Sequence, residues 1–321
     1  CDEVPPTVKI GDKVKAGQII GKDDNSRTSP IHSSVDGTVK EIVTIKSLDI
    51  NTNAVIMEPD PLQDQDENRQ SESLPDDAKQ LRNILYNCGV SSLGRYGFPT
   101  EYDTSPLKPE EAKVLIINAL NTEPYSPKNS ILIDDISKFM SGISILRDSL
   151  DQKVDVRLAI DRTDKSIINQ IMSIPEYGWL NICPLHAKYP QDHEIALTET
   201  ILGKKMPYKS TILDLGVVIF DVQDVLHAYE AVMYGKPVTE RVIAVGGSGL
   251  NEGIFVKAKI GTPIEHLLSG LCKSTENRVI YGGVMTGTQC DDLSIPINRT
   301  TSSISVIEEN RNRQFLFFLR P

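Results

Sequence analysis

The chain has 321 residues, a formal net charge of −10, 39% apolar residues and 24% charged residues, the balance of an ordinary globular protein too long for one core and divided into two or three domains. The acidic excess excludes a general nucleic-acid binder, which needs a dense basic face to neutralise phosphates. No apolar stretch approaches the roughly 20 residues of a membrane-crossing helix, so a link to a membrane is expected to run through partner proteins.

The first 58 residues alternate apolar and polar side chains around turn residues. Val8 to Gly21 turns at Gly11-Asp12 and Ala16-Gly17, and Ser29 to Ile42 turns at Asp36-Gly37. Each half reads as strand, glycine-containing turn, strand, which predicts a small quasi-duplicated β-sandwich. Residues 59–78, with Pro59, Pro61, Asp64, Asp66 and Glu67, cannot supply a core and read as a linker. A helix is expected from about Pro75 to Cys88, with Leu81, Ile84 and Leu85 on one face.

From 90 to 235 strand-like and helix-like segments alternate. Strands are predicted at 113–118, 154–160, 179–184 and 215–222, and helices at 131–150, 164–172, 193–202 and 224–234. That alternation argues for a mostly parallel sheet covered on both faces, with any ligand at the carboxyl ends of the strands. Residues 236–300 return to β character, with strands at 241–246, 254–258 and 278–281 and one helix at 263–271. This is the pattern of a small β-grasp unit. The terminal segment 301–321 carries the unbroken apolar run Phe315 to Leu319, read as a buried strand or as a patch covered by a partner or by further chain.

Cys1, Cys88, Cys183, Cys272 and Cys290 are scattered and form no C-x-x-C pair, so neither zinc nor an iron–sulfur cluster is expected, only free thiols in a reducing compartment. The chain begins with Cys1 rather than Met, which reads as a trimmed fragment; a mature lipoprotein with a lipidated Cys1 is the alternative. His32, His186, His193, His227 and His266 have no spacing that marks a metal site or a catalytic dyad, and no catalytic residue is singled out.

Two loops carry the functional expectation. Leu93-Gly94-Arg95-Tyr96-Gly97-Phe98-Pro99-Thr100 is glycine-rich, and Asn118-Ala119-Leu120-Asn121-Thr122-Glu123-Pro124 follows the first predicted strand of the α/β region. Together they resemble the flavin- and NADH-binding region of the complex I flavoprotein subunit, and more closely the RnfC subunit of Rnf electron-transport complexes. Lys188-Tyr189-Pro190-Gln191, Gly235-Lys236-Pro237-Val238 and Ile260-Gly261-Thr262-Pro263 extend that resemblance over nearly the whole chain. The C-terminal stretch from Ser303 to Pro321 resembles the NqrA subunit of the Na⁺-translocating NADH:quinone oxidoreductase.

The resemblance implies an N-terminal barrel-sandwich hybrid (1–58), a linker (59–78), a central Rossmann-like α/β domain (79–235), an SLBB-like β-grasp domain (236–300) and a C-terminal segment (301–321). Unlike the biotinyl/lipoyl carriers that share the sandwich, the segment Asp23 to Pro30 has no lysine for a swinging arm. Arg95 and Tyr96 replace the small residues of the family's glycine loop, and Asn121 replaces its first acid. A ligand would contact Gly94, Arg95, Gly97, Phe98, Thr100, Asn118 and Glu123. Quinone, FMN and NADH are the candidates, none held firmly, with no iron–sulfur cluster. The implied setting is the cytoplasmic face of the cell membrane, as a peripheral subunit docked on membrane subunits of an Nqr- or Rnf-type complex. A structural adaptor that has lost cofactor binding is the second reading, and a cobalamin-reductase-like relative the third.

Overall fold

In a computed structural model of the chain, the structure describes residues 4–23, 28–47, 50–61, 75, 77–91, 112–125, 134–150, 154–274 and 276–309. The N-terminal unit holds β1 (Lys13–Val14), β2 (Ile19–Gly21), β3 (Ile31–His32), β4 (Gly37–Ser47) and β5 (Ile50–Pro59). β1, β4 and β5 form one antiparallel sheet and β2 and β3 a second, closing over Val8, Val14, Ile20 and Val39. The short strands match the expected sandwich. The long β4–β5 hairpin does not follow from two similar halves: it runs in register from Gly37↔Pro59 to Ser47↔Ile50, with one irregularity between Val39 and Glu41.

The central unit opens with α1 (Ala78–Asn87), whose N-cap Asp77 accepts a hydrogen bond from the Lys79 amide and whose Leu81 and Leu85 are buried. Then follow β6 (Val114–Ala119), α2 (Ile136–Ser149), β7 (Asp155–Asp161), α3 (Lys165–Met172), β8 (Leu180–Leu185), α4 (Glu194–Leu202), β9 (Val217–Asp221) and α5 (Val222–Tyr234). The pairings among these strands are parallel and the order is β8-β7-β6-β9. Every residue of β6 is buried, as a central parallel strand covered on both faces requires. Leu115 and Ile117 face the larger core with α1, α2, α3 and α5, while Val114 and Ile116 face a smaller one with Leu197 and Ile201 of α4.

The C-terminal unit comprises β10 (Glu240–Gly246), β11 (Ile254–Lys259), α6 (Ile264–Leu268), β12 (Asn277–Tyr281), β13 (Thr288–Gln289) and β14 (Ser303–Glu308). Its five-stranded sheet has the order β11-β10-β14-β12-β13. β14 comes from the segment that the sequence pattern set apart as C-terminal, yet it is the central strand, parallel to β10 and antiparallel to β12. Ile264 and Leu268 of the short α6 are buried in the unit's core with Ile243, Val245, Ile304 and Val306.

The units meet around the end of α1. The Val238 amide donates to the Cys88 carbonyl at 2.9 Å, and the Ser34 hydroxyl to the Ile260 carbonyl at 2.7 Å. Arg299, between β13 and β14, donates to Ser29 Oγ at 2.5 Å and to the Pro30 carbonyl, while Arg241 on β10 donates to the Arg299 carbonyl.

Candidate functional site at the carboxyl end of the parallel sheet

β6 delivers the chain to the carboxyl end of the sheet, between β7 and β9. Helices from the two flanking connections lie on opposite faces, so the strand order reverses beside β6, where open α/β sheets form their ligand crevice. Asn118, the next-to-last residue of β6, is a brace. Its Nδ2 donates to the Asp192 carbonyl at 3.1 Å, and its Oδ1 accepts the Leu120 amide at 3.2 Å. This ties the β6 loop to the β8–α4 loop and satisfies the buried amide at both ends.

Beyond it, Asn121 Oδ1, Thr122 Oγ1 and Glu123 Oε1 are each buried with no hydrogen-bond partner among the described residues. A buried polar atom left without a partner costs about 1–3 kcal/mol, so three on consecutive residues form a costly cluster that a ligand offering hydrogen bonds would relieve. Glu123 Oε2, by contrast, accepts the backbone amide of Met285 at 3.0 Å, in the turn between β12 and β13. Gly283 in that turn lies so close that a Cβ there would stand 2.5 Å from the Glu123 carboxyl carbon. Tyr125, with φ of 64°, lays its ring on Gly246 at the end of β10, where a Cβ would stand 2.4 Å from Cγ. The loop after β6 is thus clasped by the β-grasp unit at two glycines. Tyr125, Val284 and Met285 keep 43%, 39% and 54% of their surface exposed, leaving an apolar rim beside the polar cluster.

The neighbouring strands end in well-ordered turns. Asp161 Oδ1 accepts the Thr163 amide at 2.9 Å after β7, and His193 Nδ1 accepts the Ile195 amide at the start of α4. Exposed Lys188 and Tyr189 lie in the β8–α4 loop, where the Tyr189–Pro190 peptide is cis. Asp221 ends β9 and caps α5 in a capping box with Asp224. Behind this, a cavity of about 70 Å³ lies between α5 and β10, with His227 and Arg241 on its walls. Burial, then the charge of Arg241, lowers the His227 imidazole to about 3. His227 Nδ1 and Arg241 Nε have no partner among the described residues. A larger hollow, about 440 Å³, is lined by β-grasp residues such as Asn277, Arg278 and Asp291, and none of the described strand ends of the parallel sheet reaches it.

Of the residues expected from the sequence, Asn118 and Glu123 lie on the one β6 loop, Asn118 as its internal brace and Glu123 as its tie to the β-grasp turn. Gly94, Arg95, Gly97, Phe98 and Thr100 lie outside the described residues. Asn121 and Thr122 entered the sequence reading only as departures from a family pattern; their partnerless buried atoms are visible only in three dimensions. The β12–β13 turn was missed altogether, although Gly282-Gly283 and Gly287 mark it as a place of close backbone approach. Among the described residues no three His, Cys, Asp or Glu side chains group as metal ligands, and no helix is long and apolar enough to cross a membrane.

A β-sandwich, a parallel α/β sheet with a polar loop at its reversal point and a β-grasp unit clasping that loop define a three-unit α/β and β protein. The family comparisons follow the same division. The RnfC barrel sandwich hybrid domain matches residues 2–61, the Nuo51 FMN-binding domain residues 85–230, and the NQRA C-terminal domain residues 242–292. The chain belongs to the RnfC/NqrA family. The RnfC-type relative from the ion-translocating oxidoreductase complex of Klebsiella pneumoniae (strain 342) is 30% identical over 311 residues, covering 92% of this chain and 40% of that protein. Its counterpart from Salmonella gallinarum (strain 287/91 / NCTC 13346) is 29% identical over 308 residues, covering 92% and 45%. The chain therefore spans less than half the length of these relatives. Among solved structures, a chain of NAD⁺-reducing [NiFe]-hydrogenase in the H2-reduced state superposes with a TM-score of 0.61 at 15% identity, over 72% of this chain and 47% of that one. A chain of the air-oxidized form gives 0.60 at 17% identity, over 73% and 48%. At that identity the likeness is one of fold.

Proposed function

We propose that this chain is a peripheral redox subunit of an ion-translocating oxidoreductase complex, docked on the cytoplasmic face of the cell membrane through partner subunits. Its α/β unit is read as Rossmann-like, with a flavin, nicotinamide or quinone ring held weakly at the carboxyl end of β6. The observation that carries this reading is the run of buried atoms on Asn121, Thr122 and Glu123 without partners among the described residues, beside the apolar rim of Tyr125 and Met285. These residues fit such a ring: acceptors for its N–H or O–H groups, and apolar side chains for its face. A flavin bound there would supply two-electron acceptance and one-electron release. The chain's own residues would bind and orient. Asn118 fixes the loop, Asn121 and Thr122 bond the ring edge, and Tyr125 and Met285 shield it from water. The partners would pass electrons between NADH and a quinone or ferredoxin and move Na⁺ or H⁺.

The adaptor reading draws support from Arg95 and Tyr96, two large side chains where the family pattern has small ones. Titration of the purified full chain with FMN, NADH and a short-chain quinone separates the two. Saturable fluorescence quenching by at least one, weakened about tenfold in Asn121→Ala and Thr122→Ala, is expected for a ring site. No saturable binding of any of the three would leave the adaptor.

A further inference from the structure

We infer that the β12–β13 turn of the β-grasp unit is a wall of the ligand site, and that Glu123 is a bridging residue joining ligand to wall. This rests on the reading of the β6 loop as a ring site and adds to it a second unit and a division of labour within one carboxylate. The two oxygens of Glu123 have different fates. Oε2 accepts the Met285 amide at 3.0 Å, whereas Oε1 is buried and has no partner among the described residues. A carboxylate accepts on both oxygens, so the second is reserved for a donor from a ligand. The bond to Met285 spans 162 positions and crosses from one unit to the other, so the carboxylate can point at a ligand only while the turn is docked.

The turn is built for that approach. Its base is fixed by the Gly282 amide donating to the Ser303 carbonyl at 2.9 Å and the Gly287 amide to the Gly283 carbonyl at 2.8 Å. Gly283 is buried against the carboxylate, while the next two residues, Val284 and Met285, stand exposed. The wall therefore offers an apolar edge and, through Glu123 Oε1, one anionic acceptor. The ligand class this selects has a flat apolar face and an N–H or O–H donor on its edge, and the site discriminates against rings whose edge carries acceptors only. Occupancy and docking of the turn stabilise one another, because the same side chain serves both.

Two substitutions separate the roles. In Glu123→Gln the side-chain carbonyl still accepts the Met285 amide, but an NH₂ replaces the second oxygen and opposes the ligand's donor. In Gly283→Ala the new methyl displaces the carboxylate without removing its charge. With FMN, NADH and a short-chain quinone as probes of the full chain, E123Q is expected to weaken the donor-bearing probes about tenfold or more while amide exchange across 283–287 stays slow. G283A is expected to weaken the same probes and to speed exchange in that turn. Bound probe is expected to slow exchange at 283–287 in the unsubstituted chain. Equal affinities in all three proteins, or a turn whose exchange ignores a bound probe, would overturn the inference and leave the ring site standing. Failure of every probe to bind the unsubstituted chain would overturn both.

Discussion

His227 shows how one buried side chain sets a pH dependence for the whole molecule. It lies on α5 facing β10, hydrogen-bonded to the Glu240 backbone, with Arg241, Asp221 and Lys236 as the charges around it. Its folded value, about 3, lies below the unfolded value of 6.5, so between those limits the unfolded chain holds a proton that the folded chain refuses. Stability is complete above the unfolded value and falls as the pH drops through the window, by about 1.4 kcal/mol per pH unit for this group. His32, lowered to about 4 by burial and then by Arg299, acts with the same sign. Urea unfolding at pH 7, 6.5, 6, 5.5 and 5 should show the midpoint falling with acidity. His227→Gln should flatten the slope in that range, above the region where ordinary carboxylates titrate. An unchanged slope would mean that His227 is already charged in the folded protein.

At the scale of elements, the core of the α/β unit rests on one tight crossing. Gly142 of α2 faces Val225 of α5, and a Cβ there would stand 2.3 Å from the Val225 carbonyl oxygen, an atom that no side-chain rotation can move. Gly142→Ala must therefore push the helices apart, at a cost of about 1–3 kcal/mol from overpacking, seen as a lower midpoint in denaturant with an unchanged slope. The parallel strands and their helices were legible in the sequence because each carries its own signal: a short apolar run such as Val114 to Ile117, or the three- and four-residue spacing of Phe139, Met140, Ile143 and Leu146. β14 was not legible as a central strand, because nothing in Ser303 to Glu308 records that β10, 57 residues or more away, is its parallel partner. The long hairpin was obscured for a related reason, since apolar residues of Ile50–Pro59 gain meaning only when paired with β4. The site was half visible. Its place at a strand end and the acid Glu123 could be read, but the bond from Met285 that gives the acid its geometry joins residues that no local pattern connects.

For the whole molecule the question is what makes three units one body. Arg299 sits fully buried at their junction, giving hydrogen bonds to Ser29 and Pro30 of the sandwich, while its own carbonyl receives Arg241. Its guanidinium is lowered to about 10 by burial, so the cation is desolvated, and the groups it bonds on the sandwich are neutral acceptors. Replacing such a charge with an apolar side chain of similar length removes a desolvation cost together with the bonds, and the two nearly offset. Arg299→Met should therefore leave the stability of the β-grasp unit within about 1 kcal/mol while releasing the sandwich. Arg299→Ala should cost more, because it also leaves a cavity and buried acceptors with no donor. By calorimetry the unsubstituted chain should unfold in one transition, and Arg299→Met in two, the earlier one from the sandwich. A single transition in Arg299→Met would mean that the Val238–Cys88 and Ser34–Ile260 bonds suffice to join the units. The arrangement matters for the site because the β-grasp unit that Arg299 ties to the sandwich also carries the turn that holds Glu123. Loosening the junction should therefore weaken ring binding at the β6 loop without any substitution near it.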